Sequence, residues 1–361
     1  SNTGGSNTGG SNTGGSNTGG SNTGGSNTGG SGSGGAPPIS GFSTGLHPTN
    51  QQYCAQGANA VAACTSFPCE GGNPSFCGQD AQYANATHSM VCLNASGGDA
   101  ACDAATETAP MVRDELTGLV WERPVHDPVD YAGAEAHCAT LNTASYGART
   151  DWRLPTVEEL LTITDFNYNF SVNYIPALDQ AYFPVVAWDP YWSDTAFVDE
   201  EAEHWVVSSA WGGNVTAADT ADHRVRCVAG EKSVNKAVFQ ESGAIGEEVL
   251  LDLTSGLEWQ KETRDPGSIP WADALSYCEG LTYNGDSDWR MPNILELFSL
   301  VDLTMSNPAS SLPTIEQPPT WSSSTYGTYM VAALGVDFEL GTLESGNKGS
   351  NFKIRCVRNG R

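Results

Sequence analysis

Positive charge is scarce in this chain: 16 Lys and Arg stand against 42 Asp and Glu, a formal net charge of −26. Phosphate recognition needs clustered cations, so nucleic acid and anionic lipid are not expected as partners, and acidic sulfated glycans are disfavoured for the same reason. No run of about 18 apolar residues occurs, so no helical transmembrane segment is expected. Residue 1 falls inside a repeat without a charged-then-apolar leader, so any secretion signal is expected to have been removed or omitted. Cys-x-x-Cys is also missing, although the chain has 10 cysteines, more than a reducing cytosol favours unless they bind metal. An extracellular disulfide protein is the expectation. All 6 histidines precede residue 231, which excludes a His-based triad or His metal site from the last third of the chain.

Residues 1–35 lack both charged and apolar side chains: six copies of Ser-Asn-Thr-Gly-Gly precede Ser-Gly-Ser-Gly-Gly. Such a segment cannot offset its ordering entropy, and composition reads it as a linker. The period of five presents no consistent face in a strand or a polyproline helix. Ordering would need neighbouring subunits or sugars, so the hydroxyls of Ser1, Thr3, Ser6, Thr8, Ser11, Thr13, Ser16, Thr18, Ser21, Thr23, Ser26 and Thr28 are candidate O-glycosylation sites. Pro37, Pro38, Ile39 and Phe42 are the first apolar anchors after the repeats and the candidate assembly contact.

Residues 36–110 carry Cys54, Cys64, Cys69, Cys77, Cys92 and Cys102 and read as a small loop-rich module held by three bridges. Fifteen connectivities are open. Asn85, Asn94, Asn169 and Asn214 each begin an N-glycosylation tripeptide.

From there the chain says everything twice. Asp151-Trp152-Arg153-Leu154-Pro155 returns 137 residues later as Asp288-Trp289-Arg290-Met291-Pro292, flanked in the same order by Thr117–Trp121 and Ser255–Trp259 and by Arg226-Cys227-Val228 and Arg355-Cys356-Val357. Residues 111–230 and 231–361 are therefore two copies of one domain, each expected to have its own core. In each, a helix repeats Tyr131, Ala134, Cys138, Leu141 or Trp271, Ala274, Cys278, Leu281 at helical spacing. Thr156 with Glu159, and Asn293 with Glu296, read as capping boxes opening a second helix. Strands late in each copy complete an α+β expectation. The matched cysteines predict bridges Cys138–Cys227 and Cys278–Cys356.

Tryptophans present in both copies, at 121, 152, 259 and 289, read as core, as do Trp192 and Trp321. Trp205, Trp211 and Tyr326 show no counterpart and are the candidate glycan or partner contacts. Arg153 and Arg290 read as buried structural cations. The acidic loop Asp199, Glu200, Glu201, Glu203, His204, together with His126 and Asp127, raises a Ca2+ or other metal site against the commoner solvated loop; Asn284, Asp286 and Asp288 do the same against a tight turn. No cofactor or metal is expected.

The ordered words Thr-Gly-Leu-x-Trp, helix Cys, Asp-Trp-Arg-Leu-Pro-x-x-x-Glu-Leu, Tyr-Trp-Ser and Arg-Cys-Val resemble a bacterial surface-domain family, that of the C-terminal domain of the Legionella collagen-like adhesin. The resemblance implies a C-type-lectin-like fold on secreted proteins, often beyond a low-complexity stalk, with adhesion or glycan binding. Phe76-Cys77-Gly78-Gln79-Asp80 resembles the family's lead-in segment. The calcium-lectin words are missing; Gln317-Pro318-Pro319 is a faint echo. Arg-Leu-Pro-Thr-x-x-Glu also resembles the formylglycine-generating enzymes, whose chemistry uses a reactive cysteine pair, whereas one helix and one terminal cysteine per copy fit a structural bridge.

The expectation is an extracellular or bacterial-surface structural and adhesive protein, not an enzyme. A fibre subunit assembling with itself head to tail is favoured over a non-polymerising carbohydrate-binding adhesin, with a formylglycine-generating-enzyme-like oxidase third.

Overall fold

The words shared by the two copies become the same elements twice. The computed structural model describes residues 49, 77, 79–80, 89–102, 108–166, 177–184, 189–232, 236–262, 267–312, 314–315, 318–327, 329 and 331–360, and the backbone of 53–57 and 60–63. The repeat tail with its glycosylation candidates, Pro37, Pro38, Ile39, Phe42, Cys64, Cys69, the Cys54 side chain, and the tripeptides at Asn85 and Asn169 lie outside the described residues. In the module, β1 (Tyr53–Gly57) pairs antiparallel with β2 (Ala60–Ala63).

Copy 1 is built on β3 (Met90–Leu93), β4 (Met111–Asp114), β5 (Val120–Glu122), β6 (Trp152–Arg153) and β10 (Val228–Ala229), ordered β3-β4-β5-β10-β6 with every pairing antiparallel. A second sheet, β7 (Tyr191–Ala196), β8 (Glu203–Val207) and β9 (Asn214–Ala218), lies beyond helices α1 (Tyr131–Thr143) and α2 (Val157–Thr162) in the chain. Copy 2 repeats this with β11 (Phe239–Ser242), β12 (Val249–Asp252), β13 (Leu257–Gln260) and β17 (Val357–Asn359), helices α3 (Trp271–Glu279) and α4 (Ile294–Phe298), and the sheet β14 (Thr320–Thr325), β15 (Ala332–Asp337), β16 (Thr342–Asn347). The Arg290–Val357 bridge stands where β6 pairs with β10. Among the described residues, each copy is mostly antiparallel strand with two α-helices.

The first sheet reaches back past the boundary drawn at residue 110. Strand β3 comes from the cysteine-rich stretch, occupies the place that β11 takes in copy 2, and is tied to its following loop by Cys92–Cys102. Cys77 is buried.

Local rules explain the helices. Asp130 caps α1 by accepting from Gly133 N at 2.8 Å. Thr156 and Asn293 both form complete capping boxes, with Glu159 and Glu296 bonding back to the cap backbone. The same two carboxylates also hold the arginines of the repeated word: Arg153 forks onto Glu159 at 2.7 and 2.8 Å, and Arg290 onto Glu296 at 2.7 Å twice. One acidic residue thus completes a helix cap and neutralises a cation. Arg226 and Arg355 serve the first sheet instead, donating to the carbonyls of Glu122 and Arg123 and of Gln260 and Lys261.

Cys138–Cys227 and Cys278–Cys356 join the first helix of each copy to the segment entering its last strand. Around each bridge sits a separate apolar cluster, containing Trp152 and Trp192 in copy 1 and Trp271, Trp289 and Trp321 in copy 2. The expectation of two independent cores holds only for these. A third cluster is continuous across both copies, from Val157, Leu160 and Trp205 to Ile294, Leu297 and Phe338. Residues 36–361 form one compact unit.

Candidate functional site

The copies meet where their second sheets turn. Val207 pairs with Asn214 in one hairpin and Val336 with Leu343 in the other, so Asn214 and Leu343 hold equivalent positions. The buried Asn214 amide donates to Gly341 O at 3.0 Å and accepts from Leu343 N at 2.8 Å. An amide committed on both sides is not available for a sugar, which removes Asn214 from the glycosylation candidates. Asn94 is committed to its own turn, accepting from Ser96 N and Gly98 N.

Trp205, read as an exposed contact, is a core residue at 1% exposure. It lies on the central strand of β7-β8-β9, packs edge-on against Phe197, and has a counterpart after all: Ser193 bonds the carbonyl of Trp205 as Ser322 bonds that of Leu334. The sequence hid this because the counterpart is leucine. Tyr326 likewise occupies the position of Phe197, each following the first strand of its second sheet and bonding back across the hairpin. Trp211 stands in the β8–β9 hairpin loop where the β15–β16 loop has Leu340, each just before a glycine of positive φ. The Trp211 ring lies over Gly213, where a Cβ would come within 1.7 Å of it.

Trp211 and Tyr326, from different copies, face each other with ring centroids 6.3 Å apart, both half-buried against the shared core. Tyr329 extends the group at 6.4 Å from Tyr326 and is 50% exposed. This aromatic trio exists only because the copies are packed together.

Among the described residues, the acidic loop brings no set of metal-ligating groups together. His204 Nδ1 pairs with Asp219 at 2.7 Å and its ring stacks on Tyr131 at 3.6 Å, while Glu200 and Glu201 face solvent and Asp199 accepts from Ser306 Oγ at 2.8 Å. Asp286 and Asp288 are paired with Arg358, at 2.8 and 3.2 Å. Copy 2 replaces the His204 arrangement by Lys348, whose ammonium lies 4.2 Å from the Trp271 ring and whose pKa burial pushes down to about 7.

Among the described residues, one set of metal-ligating groups converges, Glu122, His126 and His137, of which the sequence had offered His126, beside Asp127, but neither Glu122 nor His137. Glu122 ends β5, His126 follows in the next loop, and His137 precedes Cys138 on α1. His126 Nε2 is 2.9 Å from Glu122 Oε1; His137 Nε2 is 3.1 Å from both carboxylate oxygens; the rings are 4.1 Å apart. The Glu122 side chain is 2% exposed, the imidazoles 29% and 24%. Burial alone would raise the Glu122 pKa, but hydrogen bonds from the two histidines and their charge outweigh it and bring it to about 2.

A lead-in residue also docks on copy 2. Asp80 is buried, accepting from Thr49 Oγ1 at 2.6 Å and from Ser324 Oγ at 2.5 Å, and Ser324 in turn accepts from Ile294 N at the start of α4.

A model of the Lcl C-terminal domain family matches the chain twice, over residues 110–229 and 248–358. No curated protein matches it.

Proposed function

The chain belongs to the Lcl C-terminal domain family, as a tandem pair, and from that premise we propose an extracellular structural and adhesive protein that works through protein and glycan contacts rather than catalysis. Each copy's antiparallel build and helix-to-last-strand bridge support a C-type-lectin-like assignment. The observation that carries the reading is the trio Trp211, Tyr326 and Tyr329. An exposed Tyr329 beside the half-buried rings of Trp211 and Tyr326, at the seam between the copies, offers apolar faces for sugar C–H groups or a partner's side chains. Net charge of −26 directs that surface toward neutral or basic ligands.

The adhesive contact is tested by screening the full chain and the variants Trp211→Ala and Tyr329→Ala against neutral and basic glycans and protein surfaces. Loss of binding with unchanged unfolding temperature supports the reading; binding that both variants retain overturns the trio's role.

Polymerisation is the finer proposal. It assigns residues 1–35, with sugars on their hydroxyls, to a stalk and Pro37, Pro38, Ile39 and Phe42 to a head-to-tail contact, which as a heterologous interface need not close. Electron microscopy of native material should then show filaments, and removal of residues 1–45 should leave folded monomers. Filaments that persist after truncation, or a native protein that stays monomeric at high concentration, leave the non-polymerising adhesin.

A further inference from the structure

We propose that Glu122, His126 and His137 form a site for one divalent transition cation of the zinc type, with its fourth position open to solvent. Two imidazoles and a carboxylate are ligands suited to such an ion and not to Ca2+, which takes six to eight oxygens. Three protein ligands and one free position is the arrangement of an open zinc site.

Distance supports the assignment. Ligand bonds of about 2.0–2.1 Å place the corners of a tetrahedron roughly 3.3 Å apart. The nitrogen–oxygen separations here are 2.9, 3.1 and 3.1 Å. Each imidazole nitrogen thus stands within about 0.4 Å of that spacing from the carboxylate, and the three ligand atoms all lie within 4.8 Å of one another. With an ion bound, both Nε2 atoms present lone pairs to it.

The second copy supplies an internal control. Arg226 and Arg355 identify Glu122 and Gln260 as equivalents, since each guanidinium holds the carbonyl of one of them. Gln260 Oε1 accepts from Cys356 N at 3.0 Å, as Glu122 Oε2 accepts from Cys227 N at 3.4 Å. The fold needs only that acceptor, and a neutral amide provides it. His137 precedes the bridge cysteine of α1 as Tyr277 precedes that of α3. Glutamate and histidine in copy 1 thus replace glutamine and tyrosine that satisfy the same fold in copy 2.

Each ligand is also anchored. Arg226 fixes the Glu122 backbone at 2.5 Å, Arg224 donates to the His126 carbonyl at 2.5 Å, and His137 sits beside a disulfide on a helix. A constellation held from three elements is what a metal site requires.

The test uses the full chain, stripped with chelator and titrated with Zn2+ by calorimetry and with Co2+ by visible absorption. One ion per chain and the absorption bands of nitrogen- and oxygen-ligated tetrahedral Co2+ are expected. Glu122→Gln and His137→Tyr copy residues the fold already accepts; each should weaken binding by more than the roughly 10- to 100-fold that loss of an outer partner costs. His126→Ala should do the same, while His204→Ala should change nothing. Absence of binding at micromolar free zinc, or binding that survives Glu122→Gln and His137→Tyr in folded protein, overturns the assignment and leaves a His–Glu–His ion pair.

Discussion

Asn214 and Leu343 occupy the same register position in two copies of one domain and bond to each other, side-chain oxygen to backbone N–H at 2.8 Å. With its second bond, to Gly341 O, the amide pairs two buried backbone groups across the seam. Asn214→Ala leaves both unpaired and should cost about 1–3 kcal/mol for each, more than a surface change could. Denaturant unfolding checks this. The wild type should unfold the copies in one transition, because they share a core, and the variant should separate or broaden it. Peptide mass analysis should find Asn214 unmodified.

Asp80 should make the protein less stable as pH rises through the acid range. Burial, its largest influence, raises its pKa from 3.8 to about 6 despite hydrogen bonds from Ser324 and Thr49. The folded state therefore binds the proton more tightly than the unfolded chain, so stability is greatest below about 4 and falls as pH rises to about 6, by on the order of 3 kcal/mol. Asp80→Asn retains the acceptor oxygen and should flatten that part of the curve. A melting-temperature series from pH 4 to 7, read as the difference between wild type and variant, isolates this group from the carboxylates with opposite sign; an unchanged difference across the series refutes it.

Glu159 and Glu296 each hold a helix cap and an arginine, so their removal should cost more than loss of an ordinary cap. Glu159→Ala leaves the Arg153 guanidinium only its bonds to the Leu154 and Gly230 carbonyls and should destabilise by about 3 kcal/mol, against about 1 for a cap alone. Glu159→Gln keeps an oxygen for Thr156 N and should fall between. Chemical denaturation of the three proteins orders them.

Cys138–Cys227 and Cys278–Cys356 close loops of 89 and 78 residues, which on chain-entropy grounds stabilises each domain by up to about 4–5 kcal/mol. A Cys138→Ser, Cys227→Ser pair should lower stability by that order, and the corresponding copy 2 pair by slightly less. Non-reducing peptide maps should recover both bridges and no Cys138–Cys278 link.

Much of the fold was legible because it depends on near neighbours. Thr156 and Glu159 are three residues apart, and a capping box needs only that spacing and an apolar run behind it. The helix face carrying Ala134, Cys138 and Leu141 follows from helical periodicity. Duplication supplied the rest, since a cysteine placed alike in two copies has one natural partner in each. Duplication also misled. Comparing letters made Trp205, Trp211 and Tyr326 look unique, whereas register places them where the other copy has Leu334, Leu340 and Phe197.

The sequence by itself determined the repeat, the helix caps, the bridge pairing within each copy and the acidic surface, because each rests on local spacing, copy-to-copy correspondence or summed charge. Only the tertiary structure decided that the two cores fuse, that Asp80 reaches Ser324 across 244 residues, that Trp211 meets Tyr326, and that Glu122 lies beneath two histidines. All of these contacts but the Glu122–His126 pair, which are four residues apart, join residues distant in sequence, and spacing alone does not encode them. They arise where packed apolar surfaces bring separate elements together, and burial there favours partners for the polar groups, as at Asp80, Asn214 and Glu122.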